Sequence, residues 1–155
     1  MALFMCDEYE QQPRFDHPKF PGRQFCFINV HLDDGSTWHV STHQDDVVWG
    51  LSVTRLGPGT DWRRTPEPLG SAFRWVPADS WLSGHVDHCE PRLSKDTGLI
   101  SEVHLTIEGQ TRILVAAEAY EEGGDALSLV MDDESVLLFP SLADFDQARL
   151  AFESR

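Results

Sequence analysis

The sequence predicts a single α+β domain, residues 1–155, in which an antiparallel, meander-rich β-sheet of about seven or eight strands packs against a C-terminal helix. Three observations predict this class: short segments that alternate apolar and polar residues, turn signals between them, and one helical pattern at the end. A domain of this length buries about 70% of the surface that its unfolded chain exposes. The pattern leaves open whether the sheet forms a sandwich or a partly open barrel.

The first hairpin can be predicted in register. Residues 23–32 and 36–42 alternate on either side of an Asp-Asp-Gly turn at 33–35. A three-residue turn with Gly35 in the left-handed conformation pairs Val30 with Trp38 and keeps one face apolar, whereas a two-residue turn mixes apolar with polar residues. Because a buried face sets register, we expect the three-residue turn.

Three segments lack a regular pattern. Residues 1–22 contain three prolines and are expected to form an irregular N-terminal arm. After a predicted strand at 47–53, residues 54–71 contain three glycines and three prolines and read as a long Gly/Pro-rich loop. Loops of this length are usually functional or mobile. Residues 85–98 are also expected to be a loop.

The C-terminal half contains the clearest strands, at residues 99–108, 111–120, 126–131 and 135–139, separated by turns. In a meander, alternate turns lie at the same end of the sheet. We therefore expect two negative rims, one with Glu108 and the acids at 132–134, and the other with the acids at 121–125. The chain should end in a helix, because Ser141 and Asp144 match a capping box and apolar residues then follow on one stripe: Leu142, Phe145, Ala148 and Phe152.

Charge is the most informative feature for function. The net charge is −14, and residues 76–155 hold sixteen acids and five bases, which places −11 of it in that half. Such a surface repels nucleic acid and anionic membrane and attracts basic proteins. The acids could equally serve only to keep exposed strand ends soluble.

The cysteines and the N-terminus indicate the cellular compartment of the protein. Cys6, Cys26 and Cys89 form an odd, widely spaced set that suggests no disulfide framework. The first ten residues lack the basic and apolar regions of a secretory signal, and no apolar run approaches the ~20 residues of a membrane span. We expect a cytoplasmic protein.

Histidines supply the alternative function. On the predicted hairpin His31 and His39 are diagonal neighbours, and the segment His85-Val86-Asp87-His88-Cys89-Glu90 holds further metal donors. A small metal- or ligand-binding domain, with zinc on His31, His39, His85 and His88, is therefore a second hypothesis. His39 and His43 have the H-x₃-H spacing of zinc ligands, which leaves a composite site with that segment open. The sequence indicates no pairing between the two segments, so we expect no bound cofactor.

No catalytic motif is present. The sequence lacks a nucleophile elbow, a phosphate loop and a dinucleotide fingerprint, and Cys89 beside His88 is only a neighbouring pair along the chain. An enzymatic activity stays open, and we expect a non-enzymatic role.

These features favour an acidic protein-binding domain of the inhibitor or immunity type, which neutralises a more basic protein. A tryptophan beside two arginines in the long loop would act as the anchor, because both residue types are enriched at binding hot spots. Self-association is left open. The residues expected to contact the partner are Trp62, Arg63, Arg64, Glu121, Glu122, Asp125, Asp132, Asp133 and Glu134.

Overall fold

The computed structural model of the chain describes residues 2–5, 17–60, 73–76, 82–122 and 126–153, which contain ten strands and one helix. The elements are β1 (Ala2–Met5), β2 (Arg23–Phe25), β3 (Phe27–His31), β4 (Thr37–Asp45), β5 (Val48–Leu56), β6 (Phe73–Val76), β7 (Val86–Leu93), β8 (Ile100–Ile107), β9 (Gln110–Glu122), β10 (Ala126–Phe139) and α1 (Leu142–Phe152).

The strands form two five-stranded antiparallel sheets. The first has the order β5-β4-β3-β1-β6, and the second has the order β2-β10-β9-β8-β7. Every pairing of these strands is antiparallel. The predicted α+β class with a C-terminal helix is therefore confirmed, and its strands form a sandwich rather than a closed barrel.

Two apolar cores explain the layering. One core lies between the sheets and joins side chains such as Ile28 and Val40 of the first sheet to Leu114 and Leu138 of the second. The other lies on the opposite face of the second sheet, where Ile113, Val115 and Phe139 pack with Phe145 and Ala148 of α1. Because successive strand residues point to opposite faces, the central strands β9 and β10 are apolar on both sides. The order of layers is sheet, sheet, helix.

The predicted register of the first hairpin is confirmed. Val30 pairs with Trp38 and Ile28 with Val40. The Leu32 N–H donates to the Ser36 carbonyl at 2.9 Å, which closes a three-residue turn, and Gly35 has a φ of 78°. Glycine adopts this left-handed conformation without the steric penalty of a side chain.

Helix α1 begins at the predicted cap. Ser141 Oγ accepts a hydrogen bond from the Asp144 N–H at 3.1 Å, as an N-cap should. Phe145 and Ala148 are buried, but Leu142 is 43% exposed, so the stripe that contacts the sheet is shorter than predicted.

Two segments expected to be irregular contain strand. Ala2–Met5 forms β1 between β3 and β6, inside the segment 1–22 that was expected to be an arm. β5 continues to Leu56, three residues into the predicted loop 54–71, because its ladder with β4 stays regular to that point. Residues 61–71 of that loop and residues 6–16 lie outside the described residues.

Two predictions about the second sheet are wrong. Residues 86–93 form the edge strand β7, although we expected a loop there. Its side chains are almost all exposed, so it lacks the apolar alternation by which a strand is recognised. Residues 132–134 are not a turn, because β10 runs through them from Ala126 to Phe139 with an irregularity in its pairing.

No helix among the described residues is long and apolar enough to cross a membrane.

Candidate functional site

A wide bulge in β10 carries the acids at 132–134. Met131 pairs with Ala117 of β9 and Val136 pairs with Ala116, so residues 132–135 on β10 have no partner on β9. Extra residues on one strand are forced out of the ladder and bend it. Asp132 has a φ of 56°, a conformation that costs a non-glycine residue energy but that Asp and Asn tolerate best. The bulge therefore projects polar side chains from the middle of a strand.

Two carboxylates from other segments repel the charge of Asp132. Burial is the main cause that raises the pKa of Asp132 above its usual value, and repulsion from Asp96 and Glu102 raises it further. A hydrogen bond with Ser94 and the charge of Arg149 act in the opposite direction. We call Asp96, Glu102 and Asp132 the acidic cluster. Its members come from the β7–β8 loop, from β8 and from the β10 bulge.

Glu102 also pairs with a buried histidine. His104 Nε2 lies 2.7 Å from Glu102 Oε2, and the two side chains are only 5% and 15% exposed. Both point to the face of the second sheet that α1 covers, because Glu102 pairs with Val115 and His104 with Ile113. This contact fixes the Glu102 carboxylate against the sheet.

The arginine whose charge acts on Asp132 is already engaged. Arg149 on α1 donates from Nε to Glu153 Oε2 at 2.8 Å. That hydrogen bond is the main cause that raises the pKa of Arg149, and the charge of Glu102 contributes less. Arg149 thus reduces the repulsion within the acidic cluster without forming a described hydrogen bond to it.

The bulge is held on its other side by the first sheet. Thr42 Oγ1 of β4 donates to the Glu134 carbonyl, and the Glu134 N–H donates to Asp133 Oδ1 at 2.6 Å. Asp133 is partly buried and Glu134 is exposed. These contacts position the backbone of the bulge and leave its carboxylates near solvent.

The predicted pair of opposite rims is wrong in one respect. Glu108 lies in the β8–β9 turn, while the acids at 132–134 lie in the middle of β10, so the two do not share an end of the sheet. The error arose because an Asp-Asp-Glu sequence is typical of turns, whereas here β10 continues through these residues and they form a bulge.

The second predicted acidic region lies at the end of β9. Glu121 and Glu122 are both exposed, with Glu121 Oε1 at 3.8 Å from His17 Nε2 and Glu122 Oε1 accepting from the Tyr120 hydroxyl at 3.4 Å. We call Glu121 and Glu122 the β9 rim. Four further predicted contacts lie outside the described residues: Trp62, Arg63, Arg64 and Asp125.

The four histidines of the zinc hypothesis are not brought together. His39 Nδ1 lies 2.7 Å from Asn29 Oδ1 and His31 Nδ1 lies 2.9 Å from Thr37 Oγ1, on the first sheet. Burial lowers the pKa of His39, and the face that carries it is partly buried rather than fully solvated. His85 and His88 belong to the segment at the edge of the second sheet.

No group of three or more His, Cys, Asp or Glu side chains within the described ranges could hold a metal ion. Cys89 and His88 are successive residues of a strand, so their side chains point to opposite faces. Burial raises the pKa of the Cys89 thiol, which disfavours the reactive thiolate. The described residues thus give the zinc and cysteine hypotheses no support.

Glu102 and His104 lie within the predicted strand 99–108 and were not predicted as functional residues. Their spacing of two residues placed them side by side on one face, which was the available signal for a pair. Nothing in the sequence placed Asp96 or Asp132 next to them, because that proximity depends on the bulge and on how the β7–β8 loop folds over the sheet.

Comparison of the chain with protein-family models, with curated proteins and with solved structures found no match to any of them.

Proposed function

We propose that this chain is a non-enzymatic, acidic protein-binding domain, of the inhibitor or immunity type, which neutralises a more basic protein. The proposal excludes nucleic acid and membrane as partners, because a chain of net charge −14 repels phosphate. It also assigns the domain to the cytoplasm. Both described cysteines, Cys26 and Cys89, are free thiols, a state that a reducing compartment preserves.

The observation that carries the proposal is the acidic cluster at the β10 bulge. Burial, together with repulsion from Asp96 and Glu102, raises the pKa of Asp132, which means that the charged form of Asp132 is disfavoured at this place. The bulge that presents Asp132 also holds it at a positive φ. Binding sites are common places for arrangements that lower stability, because selection for function maintains them.

A basic partner would remove this repulsion. A lysine or arginine placed against the acidic cluster adds to the attraction that Arg149 supplies within the chain, where Arg149 is itself bonded to Glu153. Complementary charge of this kind speeds association and favours the correct partner more than it raises affinity. In this proposal, Trp62 with Arg63 and Arg64 forms the apolar anchor, and that part rests on residue type alone.

The first experiment is an affinity capture from the native cell, washed at low and then at high salt, with the retained proteins identified by mass spectrometry. One basic protein at near-stoichiometric yield would supply the partner. Recovery of no basic protein at either salt concentration would refute the proposal.

Two matched double variants then locate the contact. Asp132→Asn with Asp133→Asn removes two charges at the bulge, and Glu121→Gln with Glu122→Gln removes two charges at the β9 rim. We expect the bulge variant to lower the association rate constant by about three- to tenfold at low salt, and to weaken its dependence on salt. The β9 variant controls for the same change in net charge.

Equal effects of the two variants would mean that only overall charge matters, and the bulge would not be the contact. A larger effect of the β9 variant would assign the contact to the β9 rim. An unchanged rate in both would exclude electrostatic recognition by either region.

A further inference from the structure

Helix α1 is apolar on both of its sides. The inner side buries Phe145 and Ala148 against the second sheet. On the outer side, Leu150 is 90% exposed and Leu142 is 43% exposed. A surface helix of a globular protein normally carries polar residues on its outer side, and a helix that is apolar all round is normally buried. The outer side of α1 therefore has the composition of a surface that another molecule covers.

The exposed residues of this side form one connected surface. Residues four apart on a helix are neighbours, so Leu142, Asp146 and Leu150 follow one another along a row about 12 Å long. Of the exposed large apolar side chains that the structure describes, Leu150 is the most exposed. Together these residues cover about half of the helix circumference. We call them the outer face of α1: Leu142, Ala143, Asp146, Gln147, Leu150 and Ala151.

Negative charge borders the outer face of α1. Arg149, on the flank of this face, interacts electrostatically with Asp132 and Glu102 of the acidic cluster. Arg149 is itself bonded to Glu153 at the end of the helix. The only charged residue within the face is Asp146, which is exposed. An apolar surface with a carboxylate inside it and an acidic cluster near its flank is complementary to an apolar groove rimmed by lysine or arginine.

The same charges argue against a second copy of this chain as the occupant of this face. Asp146 lies at the centre of the row, so two α1 helices packed antiparallel about a twofold axis would bring the two Asp146 carboxylates together. Each copy also carries a net charge of −14. Like charges that meet in an interface oppose binding, whereas a basic protein meets no such opposition.

We propose that the outer face of α1 docks into an apolar groove of the basic partner, with Leu150 as the central apolar contact and the acidic cluster facing lysines or arginines at the rim of the groove. This docking rests on the proposed function, and it adds a contact on described residues to the one assigned to Trp62. A helix laid into an apolar groove is a common mode of recognition. An interface of standard size covers about 800 Å² on each partner, and α1 is only about 16 Å long, so one interface can include both α1 and the bulge.

The test uses the basic protein that wild type captures from the native cell, and it measures the rate constants of association and dissociation by surface plasmon resonance. Leu150→Ala removes the central contact and preserves the helix, because alanine has the highest helix propensity. Val47→Ala is the matched control, since Val47 is 80% exposed in the β4–β5 turn of the first sheet. We expect Leu150→Ala to raise the dissociation rate constant about tenfold or more, with the association rate constant within about twofold of wild type. Val47→Ala should change neither.

The outcomes distinguish this docking from the proposed function. A captured basic protein that dissociates from Leu150→Ala and from wild type at the same rate would overturn the docking and leave the proposed function standing. Capture of no basic protein would overturn both. A wild-type dimer in sedimentation velocity that Leu150→Ala dissociates would identify a second copy as the occupant, and the outer face of α1 would then not belong to a basic partner.

Discussion

Replacement of Asp132 by asparagine is expected to stabilise the protein, although asparagine removes a charge from a site proposed for binding. The change keeps the size of the side chain and its tolerance of the φ of 56°. It removes the repulsion from Asp96 and Glu102 and the penalty for burying the charged form, which are the causes that raise the pKa of Asp132. The structure thus predicts a gain in stability from a single neutralised charge.

The magnitude is small, because the side chain is only partly buried. Interactions between partly exposed charges are worth about 0.2–1 kcal/mol, and salt screens them. A gain of about 0.5 kcal/mol raises the Tm of a domain of this size by about 1–2 °C. The measurement is thermal unfolding at pH 7 and low salt, with Asp133→Asn as the control. Asparagine at 133 retains an oxygen acceptor for the Glu134 N–H, so the control should change the Tm by less than about 1 °C.

The direction of the pKa shift determines how the stability of the folded state changes with pH. The folded pKa of Asp132 is raised above the value of about 3.9 in an unfolded chain. The folded state therefore binds the proton more tightly, and its stability falls as the pH rises from about 4 through the folded pKa. The advantage of Asp132→Asn should be largest at neutral pH and shrink towards pH 4. A lower Tm for Asp132→Asn at pH 7, or a gain equal to that of Asp133→Asn, would refute the argument that the cluster destabilises the fold.

Three further predictions concern the scaffold, and each is measured by chemical denaturation. Gln24→Met should destabilise by about 1–3 kcal/mol, because the Gln24 side chain accepts a hydrogen bond at 2.9 Å from a buried backbone N–H of β9, whereas Gln44→Met at an exposed position should be near neutral. Gly50→Ala should destabilise by about 1–3 kcal/mol, since the new Cβ would lie 2.7 Å from a side-chain carbon of the residue just before β8, while Gly57→Ala meets nothing within 4 Å and should be tolerated. Ser141→Ala should cost about 1 kcal/mol through loss of the N-cap, and a cost below about 0.3 kcal/mol would contradict that role.

The hairpin of β3 and β4 could be predicted to the residue because two independent constraints agreed. Gly35 supplied the turn, and the apolar faces of Val30 and Trp38 allowed only one register. The turn between β8 and β9 was predicted less accurately. We expected one strand to end at residue 108 and the next to begin at residue 111, but β8 ends at Ile107 and β9 begins at Gln110. The turn residues are therefore Glu108 and Gly109, both at positive φ, one residue earlier than expected.

The parts that could not be predicted depend on packing between distant segments. β7 is a strand because it pairs with β8, and its own residues, with Pro91 among them, give no strand signal. The bulge at Asp132 exists because β10 continues on both sides of an acidic sequence that resembles a turn. The acidic cluster then depends on both features, since Asp96 follows β7 and Asp132 lies in the bulge. The excess of acidic residues could be counted from the sequence, whereas the grouping of the acidic cluster could not be predicted from it.

Salt dependence separates recognition by the acidic cluster from recognition by uncharged surface. Attraction between the acidic cluster and a basic partner is screened by salt, so the association rate constant should fall as salt rises. The chain carries a net charge of −14, so part of that fall would come from charge elsewhere on its surface. The variant with Asp132→Asn and Asp133→Asn should therefore keep a smaller salt dependence than wild type. An equal salt dependence in the two proteins would show that the bulge does not contribute to recognition.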